Sequence, residues 1–228
     1  DDIFKKVKTL YDNRESIGLT VEQQKVLEKY YRRFVNGGAE LNEQDKARFV
    51  EIQNRLSLLQ VQFADNNLDE SNAYVLNVTD KARLAGLPQD QLDAAAARAK
   101  EKGLEGWAFN VQKPCWIPFL QYCQDRDLRE QMYKAYYSRG NNDNQYDNKA
   151  IIKEILTLRH ELAGLLGYET FADYKLSDRM AKTPQAAYDL LMTIWEAALP
   201  QAKRELAEMQ AIVDAEGGKL SSLRCYGF

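Results

Sequence analysis

The stretch that decides the fold runs from Asp125 to Tyr174. It reads D-R-D-L-R-E-Q-M-Y-K-A-Y-Y-S-R-G over Asp125–Gly140, then N-N-D-N-Q-Y-D-N over Asn141–Asn148. It ends K-A-I-I-K-E-I-L-T-L-R-H-E-L-A-G-L-L-G-Y-E-T-F-A-D-Y over Lys149–Tyr174. The pattern is a helix, a polar turn, a second helix and the start of a third. In the second helix Ile151, Ile155, Leu158, Leu162 and Leu165 alternate at spacings of four and three, which is one apolar stripe of an α-helix. Asp147 or Asn148 can cap its first turn through a side-chain oxygen, and Gly167 can supply the left-handed residue that stops it. The first helix opens with Asp127 and Glu130 at capping-box spacing. It is expected to bury Leu128, Met132 and Tyr136 and to close at Gly140.

Working outward, the same periodicity fills the N-terminal side. Ile3, Val7 and Leu10 mark a short helix within residues 1–13. Thr20 and Gln23 form a capping box for a helix expected to bury Leu27, Tyr30, Tyr31 and Phe34 before Gly37-Gly38. A long helix follows Asn42 with the stripe Phe49, Ile52, Leu56, Leu59 and Phe63. It reads as one arm of an antiparallel hairpin with the helix before it. Tyr74–Val78 and Gly106–Val111 have strand composition, and an Ala-rich helix from Pro88 to Lys102 lies between them. A ribbon so short needs helices packed on it. Pro114 and Pro118 lead into a helix expected near Phe119–Cys123. Thr183-Pro184 opens the last helix, expected to bury Leu190, Leu191, Ile194, Trp195 and Leu199 and to kink or divide at Pro200. Leu206, Met209 and Val213 continue its apolar face before Gly217-Gly218. The fold class is therefore mostly α, a multi-helix domain with a small two-stranded β ribbon.

Composition narrows the function. The 228 residues suffice for one large domain or two small ones, and a net charge of −3 with interspersed signs argues against an extensive nucleic-acid surface. Cys115, Cys123 and Cys225 make no C-x-x-C pair and no disulfide framework. No apolar run approaches the roughly 20 residues of a membrane span. The chain opens on Asp1 rather than Met. A cytoplasmic location is expected, with the periplasm as the alternative.

Four constellations invite a chemical reading, and each has a plainer one. His160-Glu161-Leu162-Ala163-Gly164 begins like H-E-x-x-H, the helical pair of zinc-binding histidines with a general-base glutamate between them. Gly164 stands where the second histidine belongs, and His160 is the sole histidine of the chain. A helix-surface histidine is the plainer reading. Asp143, Asp147 and Glu154 fall at calcium-loop positions. Gln145 is a poor third ligand, however, and Asn148 replaces the glycine of the sharp turn. A polar connection that caps the next helix explains these residues. Cys115 and Cys123 are a redox pair only if the fold joins them, whereas free cysteines are commonly buried as small apolar groups. Tyr133, Tyr136 and Tyr137 can line a peptide groove, although aromatic residues at this spacing more often serve the core. Residue chemistry alone thus yields no catalytic, cofactor-binding or metal-binding residue and leaves substrate-binding residues unassigned.

The organising stretch resembles the thimet-oligopeptidase and peptidyl-dipeptidase family of zinc metallopeptidases, nearest its bacterial peptidyl-dipeptidase branch. The matching features are D-R-D-L-R-E at Asp125–Glu130, S-R-G at Ser138–Gly140, the run Asp147–Tyr168, and M-A-K-T-P at Met180–Pro184. Y-Y-R-R-F-V-N-G-G-A-E-L at Tyr30–Leu41, the helix from Lys46 to Asn67, and L-A-G-L-P at Leu84–Pro88 agree with it. The resemblance extends from about Tyr11 to Leu220. It implies one half of a helical metallopeptidase that encloses a deep channel with zinc at its floor. The implied chemistry is hydrolysis of short peptides, by release of C-terminal dipeptides or by internal cleavage. H-E-x-x-H and a third carboxylate ligand are implied to lie in the later half, so no metal ligand transfers to any residue here. Residues 1–220 are read as the N-terminal cap and channel-wall region of a larger peptidase. Residues 221–228, S-L-R-C-Y-G-F after Ser221, are read as an atypical tail from an artificial edge or a disrupted frame. The implied cofactor is zinc in the parent protein, with none bound to this chain. The implied partners are short peptides and the catalytic half of the same protein, with self-association of the fragment where that half is missing. Nucleic acid and membrane are not expected partners. A non-catalytic helical interaction module is the alternative function.

Overall fold

The computed structural model describes residues 2–215 and 217. Its elements run α1 (Asp2–Asp12), α2 (Val21–Asn36), α3 (Glu43–Ala73), β1 (Leu76–Val78), a 3₁₀ turn (Lys81–Leu84), α4 (Gln89–Glu101) and β2 (Trp107–Phe109). Then follow α5 (Lys113–Tyr122), α6 (Arg126–Tyr137), α7 (Lys149–Leu165), α8 (Phe171–Leu176) and α9 (Pro184–Ala215). The chain divides into two compact units, Asp1–Gln60 with Ile152–Leu190 and Val61–Ile151 with Leu191–Phe228. The boundaries fall inside α3, α7 and α9. Cys225, Gly218 and the expected tail at 221–228 lie outside the described residues.

In the first unit the expected stripe of α3 and part of that of α7 are the core, with Ile155 and Leu165 half-buried. Phe49, Ile52, Leu56 and Leu59 are buried, as are Leu158, Leu162 and Ala163. Each large aliphatic side chain removed from water contributes about 1.5–3 kcal/mol. Two bidentate pairs flank the seam: Arg48 Nε and Nη2 donate to Glu161 at 2.6 and 2.8 Å, and Arg55 donates to Glu154 at 2.5 and 2.8 Å. Ascending α3 from 48 to 55 descends α7 from 161 to 154, so these segments are antiparallel. The aromatic contacts of α2 run to α1, where Tyr11 stacks on Tyr31 at 3.8 Å and Phe4 meets Phe34 at 5.7 Å.

Several expectations for this unit shift. In α1 the buried residue is Phe4, while Ile3 and Leu10 are exposed. In α2 Tyr30 is exposed, and Leu27, Tyr31 and Phe34 are only half-buried. Both helices are amphipathic, but one short partner covers too little of each stripe. Helix ends follow sequence more closely. The Thr20–Gln23 capping box is formed, and Asn42 Oδ1 accepts from Asp45 N at 2.9 Å to open α3.

The second unit is built on the ribbon. Leu76 pairs with Phe109 and Val78 with Trp107 in antiparallel register. Leu76, Val78 and Phe109 enter a core with Leu92 and Ala95 of α4, Phe119 and Leu120 of α5, and Leu128 and Met132 of α6. Phe109 and Phe119 meet edge to face at 4.7 Å. Arg98 Nη1 donates to the Ala108 carbonyl at 2.7 Å and ties α4 to β2. Helix α5 starts at Lys113 rather than near Phe119, because Pro114 sits in the first turn, where its missing N–H costs nothing.

The last helix departs furthest. Leu190, Leu191, Ile194 and Trp195, expected in the core, are 63, 63, 57 and 56% exposed. Burial needs a partner surface as well as an apolar stripe, and among the described residues this stripe has too little of one. Nor does Pro200 divide the helix, which runs unbroken from Pro184 to Ala215. Pro200 is exposed, so the carbonyl it leaves without a partner can turn to water.

Candidate functional site

The polar turn between α6 and α7 is the most heavily bonded loop of the second unit. Its anchor is Glu70, a buried carboxylate near the end of α3. Glu70 accepts from Gly140 N at 2.5 Å and from the side-chain amides of Asn142 and Asn144 at 2.8 Å each. Burial pushes this carboxyl up, but those three donors and the charge of Arg139 outweigh it, so the group sits below its ordinary value. Beside it Arg139 donates to Ser71 Oγ at 2.9 Å and stacks over Tyr136 at 3.9 Å.

Asn148 makes the second anchor. Its side chain is buried, accepts from Asn66 Nδ2 at 2.9 Å and donates to the Phe63 carbonyl at 3.2 Å. Its backbone N–H reaches the Gly140 carbonyl at 2.8 Å. Gly140 holds a φ of 72°, and a Cβ there would sit 2.9 Å from Asn148 Nδ2 and 3.1 Å from Asn67 Oδ1. Only glycine combines this dihedral with this approach. Asp147, rather than Asn148, caps α7 by accepting from Lys149 N at 2.9 Å. At α6 the cap is Asp125, whose Oδ1 accepts from Leu128 N at 3.0 Å, in place of the expected Asp127. The Asp125 carboxylate also pairs with Arg83 at 2.7 Å, so one residue caps the helix and pins the 3₁₀ turn.

Next to the latch lies a groove of about 390 Å³ lined by Glu70, Tyr74, Gln131, Lys134, Ala135, Ser138 and Asn142. The three tyrosines of α6 belong to an aromatic cluster in the same unit. Trp116 stacks on Tyr136 at 4.0 Å, and Tyr133 and Tyr136 approach Tyr137 at 4.4 and 5.2 Å. Tyr133 and Tyr136 are half-buried against the core, and Tyr137 is 56% exposed. This groove can take an extended polar segment along its wall, but it holds no assembled nucleophile, base or metal site.

The other sequence candidates scatter. His160 is exposed, Glu161 is engaged by Arg48, and Gly164 brings no ligand. Asp143 and Asp147 both pair with Lys149, at 2.6 and 2.9 Å, and Glu154 pairs with Arg55, so no calcium loop forms. Cys115 and Cys123 are free and buried, and burial pushes both thiols up, away from the reactive thiolate. Among the described residues no three His, Cys, Asp or Glu side chains gather where they could hold a metal ion. Likewise no helix among them is long and apolar enough to cross a membrane. Sequence reasoning missed the latch. Glu70 lies in the polar run D-N-N-L-D-E-S-N, which reads as a solvated helix face, and only its distant asparagine partners set it apart.

Comparison with known proteins places this scaffold. The model of Peptidase family M3 matches residues 119–228. Oligopeptidase A of Escherichia coli is 38% identical over 222 residues, 96% of this chain and 33% of that protein. Over these residues the chain is similar to peptidase family M3. Dipeptidyl carboxypeptidase of Escherichia coli matches at 34% over 222 residues, 97% of the chain and 33% of the relative. A plant relative, "Probable cytosolic oligopeptidase A" of Arabidopsis thaliana, matches at 30% over 94% of the chain and 31% of its own length. The chain thus spans about a third of the length of these curated relatives. The M3 resemblance read from the organising stretch is confirmed.

Proposed function

We propose that this chain is one part of a zinc-dependent peptidase that hydrolyses short peptides, and that it supplies scaffold and a wall of the substrate channel. The reading is carried by one observation: 96% of the chain aligns with 33% of oligopeptidase A. The residues present do not fit a zinc site, since the single histidine has Gly164 where its helical partner ligand belongs. Zinc and the groups that act with it therefore belong to other parts of the polypeptide, and the chain alone is inactive. Peptides that thread the channel as extended segments meet surfaces such as the Glu70–Asn142 groove, whose polar lining suits main-chain amides. Relatives named for oligopeptidase and for dipeptidyl carboxypeptidase activity match at similar identity, so the mode of cleavage follows from residues beyond these. A cytoplasmic location is supported by the name of the cytosolic plant relative.

The test compares the isolated chain with the product of its complete reading frame on internally quenched short peptides, with and without a zinc chelator. The expected result is chelator-sensitive cleavage by the complete product and none by the chain. Chelator-sensitive cleavage by the chain itself, or an inert complete product, overturns the proposal. The exposed apolar face of α9 also supports a second reading, a helical interaction module without chemistry. An inert complete product that binds a protein partner through α9 establishes that reading.

A further inference from the structure

The first unit carries a concave basic site that the peptidase reading does not use. A groove of about 590 Å³ is lined by Lys25, Glu28, Lys29, Arg32, Arg33 and Asn36 of α2 together with Asp178 and Lys182. The α2 residues fall on one face of the helix. Five cations and two carboxylates give the lining a local charge of +3 in a chain whose net charge is −3. Both carboxylates are already engaged: Glu28 by Lys25 at 2.9 Å and Asp178 by Arg179 at 3.2 Å. Lys29, Arg33 and Lys182 form no side-chain hydrogen bond or salt bridge among the described residues. Arg32 forms none either, although its charge, after that of Lys25, helps hold the Glu28 carboxyl low.

Two features separate this site from an ordinary solvated basic face. Like charges in a concavity focus their field and concentrate counter-ions there. In addition, Lys182 is held at φ 64°, a left-handed conformation that costs a non-glycine residue stability and that glycine or asparagine would adopt more readily. The fold thus places a lysine where its backbone disfavours one.

We infer that this groove binds a compact multivalent phosphate, of the class of tripolyphosphate or the triphosphate of a nucleotide. The lining contains no apolar side chain, so a peptide finds no pocket for anchoring residues. The cations converge from barely three turns of one helix and one loop, which matches a short cluster of charge better than an extended chain. Two guanidinium groups can each grip phosphate oxygens through two N–H donors, the ammonium groups of Lys29 and Lys182 neutralise the remainder, and Asn36 adds a neutral donor.

Isothermal titration of the full 228-residue chain with sodium tripolyphosphate, at about 50 mM salt to limit screening, tests the inference. The expected result is saturable binding of one equivalent that weakens as salt rises. Arg32→Gln and Lys182→Gly should each weaken it about fivefold or more, as loss of a charge-assisted contact at an exposed site. Lys182→Gly relieves the left-handed strain, so its melting temperature should hold or rise, which separates lost binding from lost fold. Lys100→Gln, an exposed lysine of α4 outside the lining, should bind like the parent. A nucleoside triphosphate titrated in parallel identifies the source. Equal affinity assigns recognition to the phosphates alone, and tighter binding assigns a nucleotide. Absence of saturable binding, binding untouched by both groove variants, or tighter binding of a hexaglutamate peptide overturns the inference.

Discussion

Replacing Glu70 with alanine should unlatch the turn between α6 and α7. The magnitude follows from the three donors it leaves behind. Gly140 is buried, so its N–H loses its acceptor without gaining water. That costs about 1–3 kcal/mol. Asn142 and Asn144 are exposed and can turn their amides to solvent, so each loses only the net value of a hydrogen bond, about 1 kcal/mol. Relief of the buried charge offsets part of the sum, leaving a loss of about 3 kcal/mol. In a chain of this size that is a fall in Tm of about 6–12 °C. Glu70→Gln keeps one acceptor and should lose about half as much. The pH dependence has a definite sign. The folded carboxyl lies below its ordinary value of 4.5, so its contribution is complete above that pH and is lost as pH falls through the folded value. The gap between the parent and Glu70→Gln should therefore narrow in acid. Thermal unfolding followed by circular dichroism at neutral pH and near pH 4, with limited proteolysis of the 138–148 turn, measures all of this. A Tm change below about 2 °C for Glu70→Ala refutes the latch, because it would mean that Gly140 N–H finds another partner.

The same packing fixes other outcomes. Gly106→Ala places a Cβ 2.3 Å from the Val78 carbonyl oxygen at a φ of 84°, whereas Gly103→Ala at 66° meets nothing within 4 Å. Urea unfolding should show a loss of about 1 kcal/mol for Gly103→Ala, the left-handed penalty alone, and several times that for Gly106→Ala, where β1 must also move. Glu161→Gln should lower stability modestly at low ionic strength and hardly at all in high salt. Arg48 holds the Glu161 carboxyl below its ordinary value, so the difference should also fade below about pH 4.5. The isolated chain should self-associate through α9, with Leu191→Ser plus Ile194→Ser shifting it toward monomer in sedimentation velocity. A monomer at high concentration without those substitutions counts against the apolar face as an interface.

Helix existence was legible wherever the apolar stripe was also the buried stripe. In α3, α6 and α7 the periodic residues are the core, because each helix has a partner along that face. Caps were legible at Thr20 and Thr183, since a side-chain oxygen bonding three residues ahead is a local event. Asp125 was missed for the same reason reversed: Asp127 also offers a local oxygen, and the distant Arg83 favours Asp125. In α9 periodicity announced an apolar face but could not say whether anything covers it. Glu70 was illegible because a carboxylate in a polar run declares its burial only through residues 70 to 74 positions away.

The segments that resemble the family can be assigned jobs one by one, and the jobs are structural. In D-R-D-L-R-E, Asp125 caps α6, Leu128 fills the core, and Arg129 donates to the Cys123 carbonyl at 2.5 Å. In S-R-G, Arg139 holds Ser71, and Gly140 fits where no side chain can. In D-N-K, Asp147 caps α7 and Asn148 bridges to α3. Of these three motifs only Ser138 lines the groove, and its hydroxyl donates to the Lys134 carbonyl at 2.7 Å. A resemblance written in caps, latches and packed apolar residues specifies a scaffold, and it does so as strictly as a catalytic motif specifies chemistry. Substitutions in these motifs should therefore appear first as lost stability of this region. On the proposed function, any loss of cleavage by the product of the complete reading frame should track unfolding rather than a change in the chemical step.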